Sequence, residues 1–147
     1  MRKAQPFFIM LLFAFVAGAS VTVHAEGSAA RALFAQLIVD REPVDQIVEL
    51  TNDNSKVYFF TELRGLKGQS VTHRWEYDGK PQAAVTFNVG ANRWRVWSSK
   101  NLQPGWTGLW TVSVLDEAGN VITEETLNYV SAEDRVETEM VEEMPAQ

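Results

Sequence analysis

From residue 57 to residue 130 the chain alternates apolar and polar positions in short runs broken by turn residues. Runs at 57–63, 71–77, 83–89, 93–99, 109–115 and 121–130 are rich in β-branched and aromatic side chains, the composition of strands. Between them lie Arg64-Gly65-Leu66-Lys67-Gly68, Asp78-Gly79-Lys80-Pro81, Gly90-Ala91-Asn92, Pro104-Gly105 and Asp116-Glu117-Ala118-Gly119-Asn120. Each supplies Gly where φ must be positive or Pro where φ is fixed. A seventh strand is expected at 32–39. The Ala and Leu residues of 28–37 also suit a helix, but the run continues into Ile38 and Val39, which favours a strand. Ile47-Val48 offers one more short strand before the polar turn at 52–55. Short strands at this spacing predict an all-β, antiparallel sandwich of about seven strands.

The closing segment GLWTVSVLDEAGNVITEETLNYV sharpens that expectation. Trp110, Val112 and Val114 share one face and Thr111 and Ser113 the other, before the chain reverses at 116–120. Closing hairpins of immunoglobulin-like domains read this way, although the cysteine pair of antibody domains is missing.

The pleat sorts the remaining aromatic residues by face. On 71–78, His73, Trp75 and Tyr77 lie together, opposite Arg74, Glu76 and Asp78. On 93–99, Trp94 and Val96 point inward, leaving Arg93, Arg95 and Trp97 outward. The run at 57–63 is apolar on both sides; Val57, Phe59 and Leu63 suit a core, with Tyr58 and Phe60 beside Glu62 and Arg64. Trp75, Trp94 and Trp110 are thus core candidates, and Trp106 lies in a loop.

The N-terminal segment points to export. Arg2 and Lys3 precede an apolar run over 7–19, and Val23-His24-Ala25 has the small residues of a signal-peptidase site. We expect residues 1–25 to be a cleaved signal peptide, 26–130 a single sandwich domain and 131–147 an acidic disordered tail. The alternative is a retained anchor, for which the apolar stretch falls short of the roughly 20 residues of a membrane-spanning helix. The expected location is the periplasm or the cell exterior, with no stable membrane insertion once the signal is cleaved. Cysteine is absent, so the fold has no disulfide and no lipid-bearing cysteine. The whole chain carries a net charge of −6, and losing Arg2 and Lys3 makes it about −8. That balance argues against nucleic acid as a partner.

The ordered blocks VYFFTEL, HRWEYDGK, RWRVWSSK and GLWTVSVLDEAGNVI resemble the bacterial family known as domain of unknown function 2914, over residues 31–130. The resemblance implies an exported or membrane-attached domain and assigns no catalytic residue.

Candidate chemistry is sparse. His73 is the only histidine after residue 25, so a Ser-His-Asp arrangement would need it as base with Ser98 or Ser99 as nucleophile. Its place beside Trp75 and Tyr77 instead predicts a core or edge histidine. One histidine and no cysteine leave no zinc site, and Asn52-Asp53-Asn54 reads as a turn, so neither metal nor cofactor is expected. A glycosidase would need two carboxylates at one cleft, for which Glu62, Glu76 and Asp78 could be proposed. Were the three central strands in one sheet, Tyr58, Phe60, Arg74, Glu76, Arg93, Arg95 and Trp97 would share its outer face, with Lys100 at the strand end. Aromatic rings flanked by guanidinium and carboxylate groups suit a saccharide or anionic envelope polymer. The structural counterpart is that Arg74 and Glu76 simply pair across strands with Arg95. The sequence therefore predicts a non-enzymatic envelope binding module. A protein-interaction domain is the second reading and a carboxylate-dependent hydrolase the third.

Overall fold

The computed structural model describes residues 27–143. The expected signal segment, 1–25, lies outside them. Ten strands follow in order: β1 (Ser28–Ala35), β2 (Ile38–Val39), β3 (Glu42–Pro43), β4 (Glu49–Thr51), β5 (Lys56–Arg64), β6 (Ser70–Tyr77), β7 (Lys80–Asn88), β8 (Arg93–Asn101), β9 (Gly108–Leu115) and β10 (Val121–Val130). Among the described residues one helix follows, α1 (Ala132–Glu142). Seven of these strands are long; β2, β3 and β4 are short additions at 38–51.

Two sheets carry the domain. A three-stranded sheet runs in the order β1-β5-β8, and a five-stranded sheet in the order β4-β10-β9-β6-β7. All pairings are antiparallel except that of β4 with β10, which is parallel. The path is that of an immunoglobulin-like sandwich: β5 and β8 take the places of strands B and E, while β6, β9 and β10 take those of C, F and G. β7 extends the larger sheet as a C′ strand, and β2 and β3 pair as a small separate ribbon.

Alternation decides what fills the space between the sheets. Val57, Phe59 and Leu63 of β5 meet Val71 and Trp75 of β6, Trp110, Val112 and Val114 of β9, and Leu127 and Tyr129 of β10 in one buried cluster. Trp75 sits on the strand where immunoglobulin domains keep their buried tryptophan. Phe34 and Phe59 surround it edge-on, with ring centroids 5.9 and 6.4 Å away. Trp94 packs partly buried against the same cluster, and Tyr77 stacks on Trp110 at 4.8 Å. The turn between β6 and β7 is the expected one. Asp78 and Gly79 both have positive φ, 46° and 78°, the mirror-image turn whose twist matches a two-residue hairpin.

Two expectations are corrected. The seventh strand spans Ser28–Ala35, not 32–39, because the chain leaves the sheet at Gln36 to build the β2–β3 ribbon. The segment after Ser131 was expected to be disordered, yet it forms α1. Ser131 caps the helix by accepting the Asp134 N–H, Glu133 and Asp134 suit its positive N-terminus, and Arg135 pairs with Glu139 one turn on. None of its residues is buried. Among the described residues no helix is long and apolar enough to cross a membrane.

Candidate functional site

The outer face of the three-stranded sheet gathers charge. Arg31 projects from β1, Glu62 and Arg64 from β5, and Arg93 and Arg95 from β8, on adjacent registers: Arg31 is opposite Glu62, and Glu62 opposite Arg95. Glu62 is buried beneath this group. Its Oε2 accepts from Arg93 at 2.9 Å and its Oε1 from Arg64, with Arg31 at 3.9 Å. The Arg93 hydrogen bond, reinforced by Arg64, holds the Glu62 carboxyl down to about 2 against its desolvation. A carboxylate so stabilised is a fixed negative charge, unsuited to general-acid work.

The β2–β3 ribbon supplies the second carboxylate. Glu42 joins the strands on either side of β5: it accepts from Arg31 at 2.7 Å and also from Arg95. These hydrogen bonds, Arg31's first, lower the Glu42 carboxyl below its ordinary value. Four arginines thus share two carboxylates on one face, a local excess of positive charge in an acidic protein.

The predicted site residues separate. Arg93, Arg95 and Trp97 stand together on the outer side of β8, and Tyr58 lies two residues before Phe60 on β5 with Lys56 Nζ 5.1 Å from its ring centroid. Phe60 faces outward as expected but is not accessible. It is fully buried on that face, flanked in register by Leu33 and Trp97, with the Arg31 guanidinium 5.0 Å from its ring centroid. Arg74 and Glu76 belong to the other sheet, because β6 pairs with β7 and β9 and not with β5 or β8. They form an ion pair with each other at 3.0 Å, without hydrogen-bond geometry, and neither reaches Arg95. Lys100 follows the inward alternation of Val96 and Ser98 at the end of β8, away from the arginines. Arg31, Arg64 and Glu42 are members of this cluster that the binding set read from the sequence did not include. The alternation of Arg31 and Leu33 against Ala32 and Phe34 would have placed Arg31 on the outer face.

A second polar group lies inside. His73 is fully buried, its Nε2 3.0 Å from Thr61 Oγ1 and its Nδ1 2.9 Å from Ser98 Oγ. Ser98 Oγ also accepts the indole N–H of Trp75 at 3.0 Å. Phe59 and Phe87 meet the imidazole edge-on at 5.0 and 4.9 Å. Burial pushes the imidazole down to about 3, so it is neutral, and a neutral ring with one donor and one acceptor nitrogen suits two hydroxyls. Histidine and serine do meet here, as a triad would require. However, no carboxylate orients the ring, and both residues are enclosed between the sheets. The group is a polar tie, with Thr61 and Ser98 on one sheet and His73 and Trp75 on the other.

Of the carboxylates proposed for hydrolysis, Glu62 belongs to the smaller sheet, apart from Glu76 on the larger. Among the described residues no group of three or more metal-ligating side chains is assembled.

The fold and this face define an immunoglobulin-like sandwich with an arginine-rich outer sheet. The model of the family described as Protein of unknown function (DUF2914) matches residues 68–128, the core of the expected resemblance, from the turn before β6 into β10. The match takes in His73, Trp75, Arg93, Arg95, Trp97 and Ser98; β1 to β5 lie outside it. No curated protein matches the chain.

Proposed function

We propose that the protein is an exported, non-enzymatic binding module of the cell envelope that recognises an anionic saccharide or envelope polymer on the outer face of its three-stranded sheet. The observation that carries this reading is the sharing of two carboxylates by Arg31, Arg64, Arg93 and Arg95 beside the half-buried ring of Trp97. Guanidinium groups meet carboxylate or phosphate with two parallel hydrogen bonds, and an indole face packs on the apolar face of a pyranose. Glu62 and Glu42 hold the arginines in place without cancelling their charge. The buried neutral His73 and the scattered carboxylates support binding over hydrolysis.

Polymer retention tests the reading. An acidic polysaccharide should bind the protein at low ionic strength and release it as salt screens the contacts. The double change Arg64→Glu and Arg93→Glu should abolish retention while the circular dichroism spectrum persists, and Trp97→Ala should weaken it. Equal retention on a neutral polymer, or retention unchanged in the double variant, refutes the proposal.

A second reading has its own observation. β7 is an edge strand whose stretch Gln82–Asn88 carries no charged residue, a free ladder onto which an extended partner chain could add. A Val85→Pro variant that keeps its fold but loses one specific co-purifying protein would favour it.

A further inference from the structure

We infer that the notch between the tip of the β2–β3 ribbon and β8 is a subsite for one anionic sugar unit, with Arg41 as its clamp and Trp97 as its platform. This rests on the saccharide reading above and narrows it to one place and one charge. The notch has a volume of about 180 Å3 and is lined by Arg41, Phe87, Arg95, Val96 and Trp97. It lies where β8 and β7, each the last strand of its sheet, leave the sandwich open.

The backbone at the tip is the first argument. Ile38–Val39 and Glu42–Pro43 pair antiparallel, and the two residues between them, Asp40 and Arg41, have φ of 50° and 64°. Such a turn is ordinarily made by Asn-Gly or Asp-Gly, because a side chain is disfavoured at positive φ. An arginine held in that conformation carries strain, and strained residues concentrate at ligand sites. The turn itself does not require arginine; a ligand would.

Charge is the second. Arg41 is exposed and has no ion-pair partner among the described residues, whereas Arg95 beside it is engaged by Glu42. The walls of the notch therefore present one committed guanidinium and one free fork. The remaining surface is apolar and fixed: Val96 is buried in the core, and Phe87 is held edge-on against His73. An apolar floor, an indole and a free guanidinium match a pyranose bearing a carboxylate or a phosphate ester. A neutral sugar leaves Arg41 without a partner.

Titration of the 15N-labelled full protein with D-glucuronate, glucose 6-phosphate, D-glucose and adenosine monophosphate decides the matter. The two anionic sugars should shift the Trp97 indole resonance, and glucose should not; the stronger of the two identifies carboxylate or phosphate. Arg41→Gln should weaken that binding by about tenfold, the scale of a lost charged hydrogen bond. Glucose acting as strongly as glucuronate, adenosine monophosphate binding more tightly than either sugar, or an unchanged Arg41→Gln variant overturns the inference. Polymer retention without any Trp97 response to the anionic sugars overturns the subsite and leaves the wider face standing. A Trp97 response that vanishes in Arg41→Gln, with no polymer retained, overturns the wider face alone.

Discussion

Ser98 on β8 accepts a hydrogen bond from the indole of Trp75 on β6 across the interior of the sandwich, 3.0 Å apart, and meets the ring of His73 with the same oxygen. The two sheets are therefore joined by directed bonds as well as by apolar packing. Ser98→Ala leaves the buried Trp75 N–H and His73 Nδ1 without this partner. The expected loss is about 1–3 kcal/mol, the cost of unsatisfied buried polar groups. Urea denaturation checks it, and a midpoint equal to that of the parent protein refutes the tie.

Acid should act first through His73. Its pKa is about 3 in the folded protein against an ordinary 6.5, so below pH 6.5 the unfolded chain takes up a proton that the native state refuses. Stability is complete above pH 6.5 and falls as the pH drops toward 3, by at most about 1.4 kcal/mol per unit from this group. Glu62, held at about 2 chiefly by Arg93, adds a second loss that starts near 4.5 and continues toward 2. A His73→Gln variant should flatten the upper part of the curve and leave the lower part intact. A His73 imidazole resonance titrating near pH 6 in the native protein would contradict this.

Glu62→Gln separates scaffold from surface. Arg93 and Arg64 lose their charged acceptor, at a cost of about 1–2 kcal/mol given that both arginines face water. The face gains one unit of positive charge, so an acidic polysaccharide should be retained to higher salt than by the parent. Thermal melting and retention, measured together, should move in opposite directions.

Arg41→Gly should raise stability by about 1 kcal/mol, since glycine removes the strain of a side chain at positive φ. Gly79 already fills the corresponding second position of the β6–β7 turn, after Asp78, so the change makes the two turns alike. A melting temperature that falls on Arg41→Gly would show the guanidinium to be structural.

Removing residues 133–147 should leave the sandwich within about 0.5 kcal/mol of the parent, because α1 buries no side chain and touches the domain through Arg135 and Glu49 at 3.8 Å. The cut keeps Ala132, whose N–H is received by Asn52 Oδ1. A large loss in denaturant would assign α1 a packing role.

The alternation along each strand revealed more than its neighbours. It placed Trp75, Trp110 and His73 inside and Arg93, Arg95 and Trp97 outside, because the pleat is local and each strand carries its own record of facing. Which strands lie side by side is not local. Arg74 and Glu76 were grouped with Arg95 on the assumption of one sheet, and β6 instead crosses to the larger sheet before β8 returns beside β5. Phe60 was lost for a related reason: Arg31 from β1 covers its ring, and a pleat describes facing, not covering. The β2–β3 ribbon is too short for any period to announce it. The tail misled through composition, since six acids in a polar stretch suggest solvation, while Ser131 and the Arg135–Glu139 pair supply a helix start and a brace.

The bonds among Thr61, His73, Ser98 and Trp75 do by reversible contact what related architectures do with a covalent cross-link, in a chain that has no thiol to oxidise. Maturation is then indifferent to redox poise. The protein should regain its native state after denaturation equally with dithiothreitol present or absent, and no thiol oxidase or disulfide isomerase has a step to perform on it.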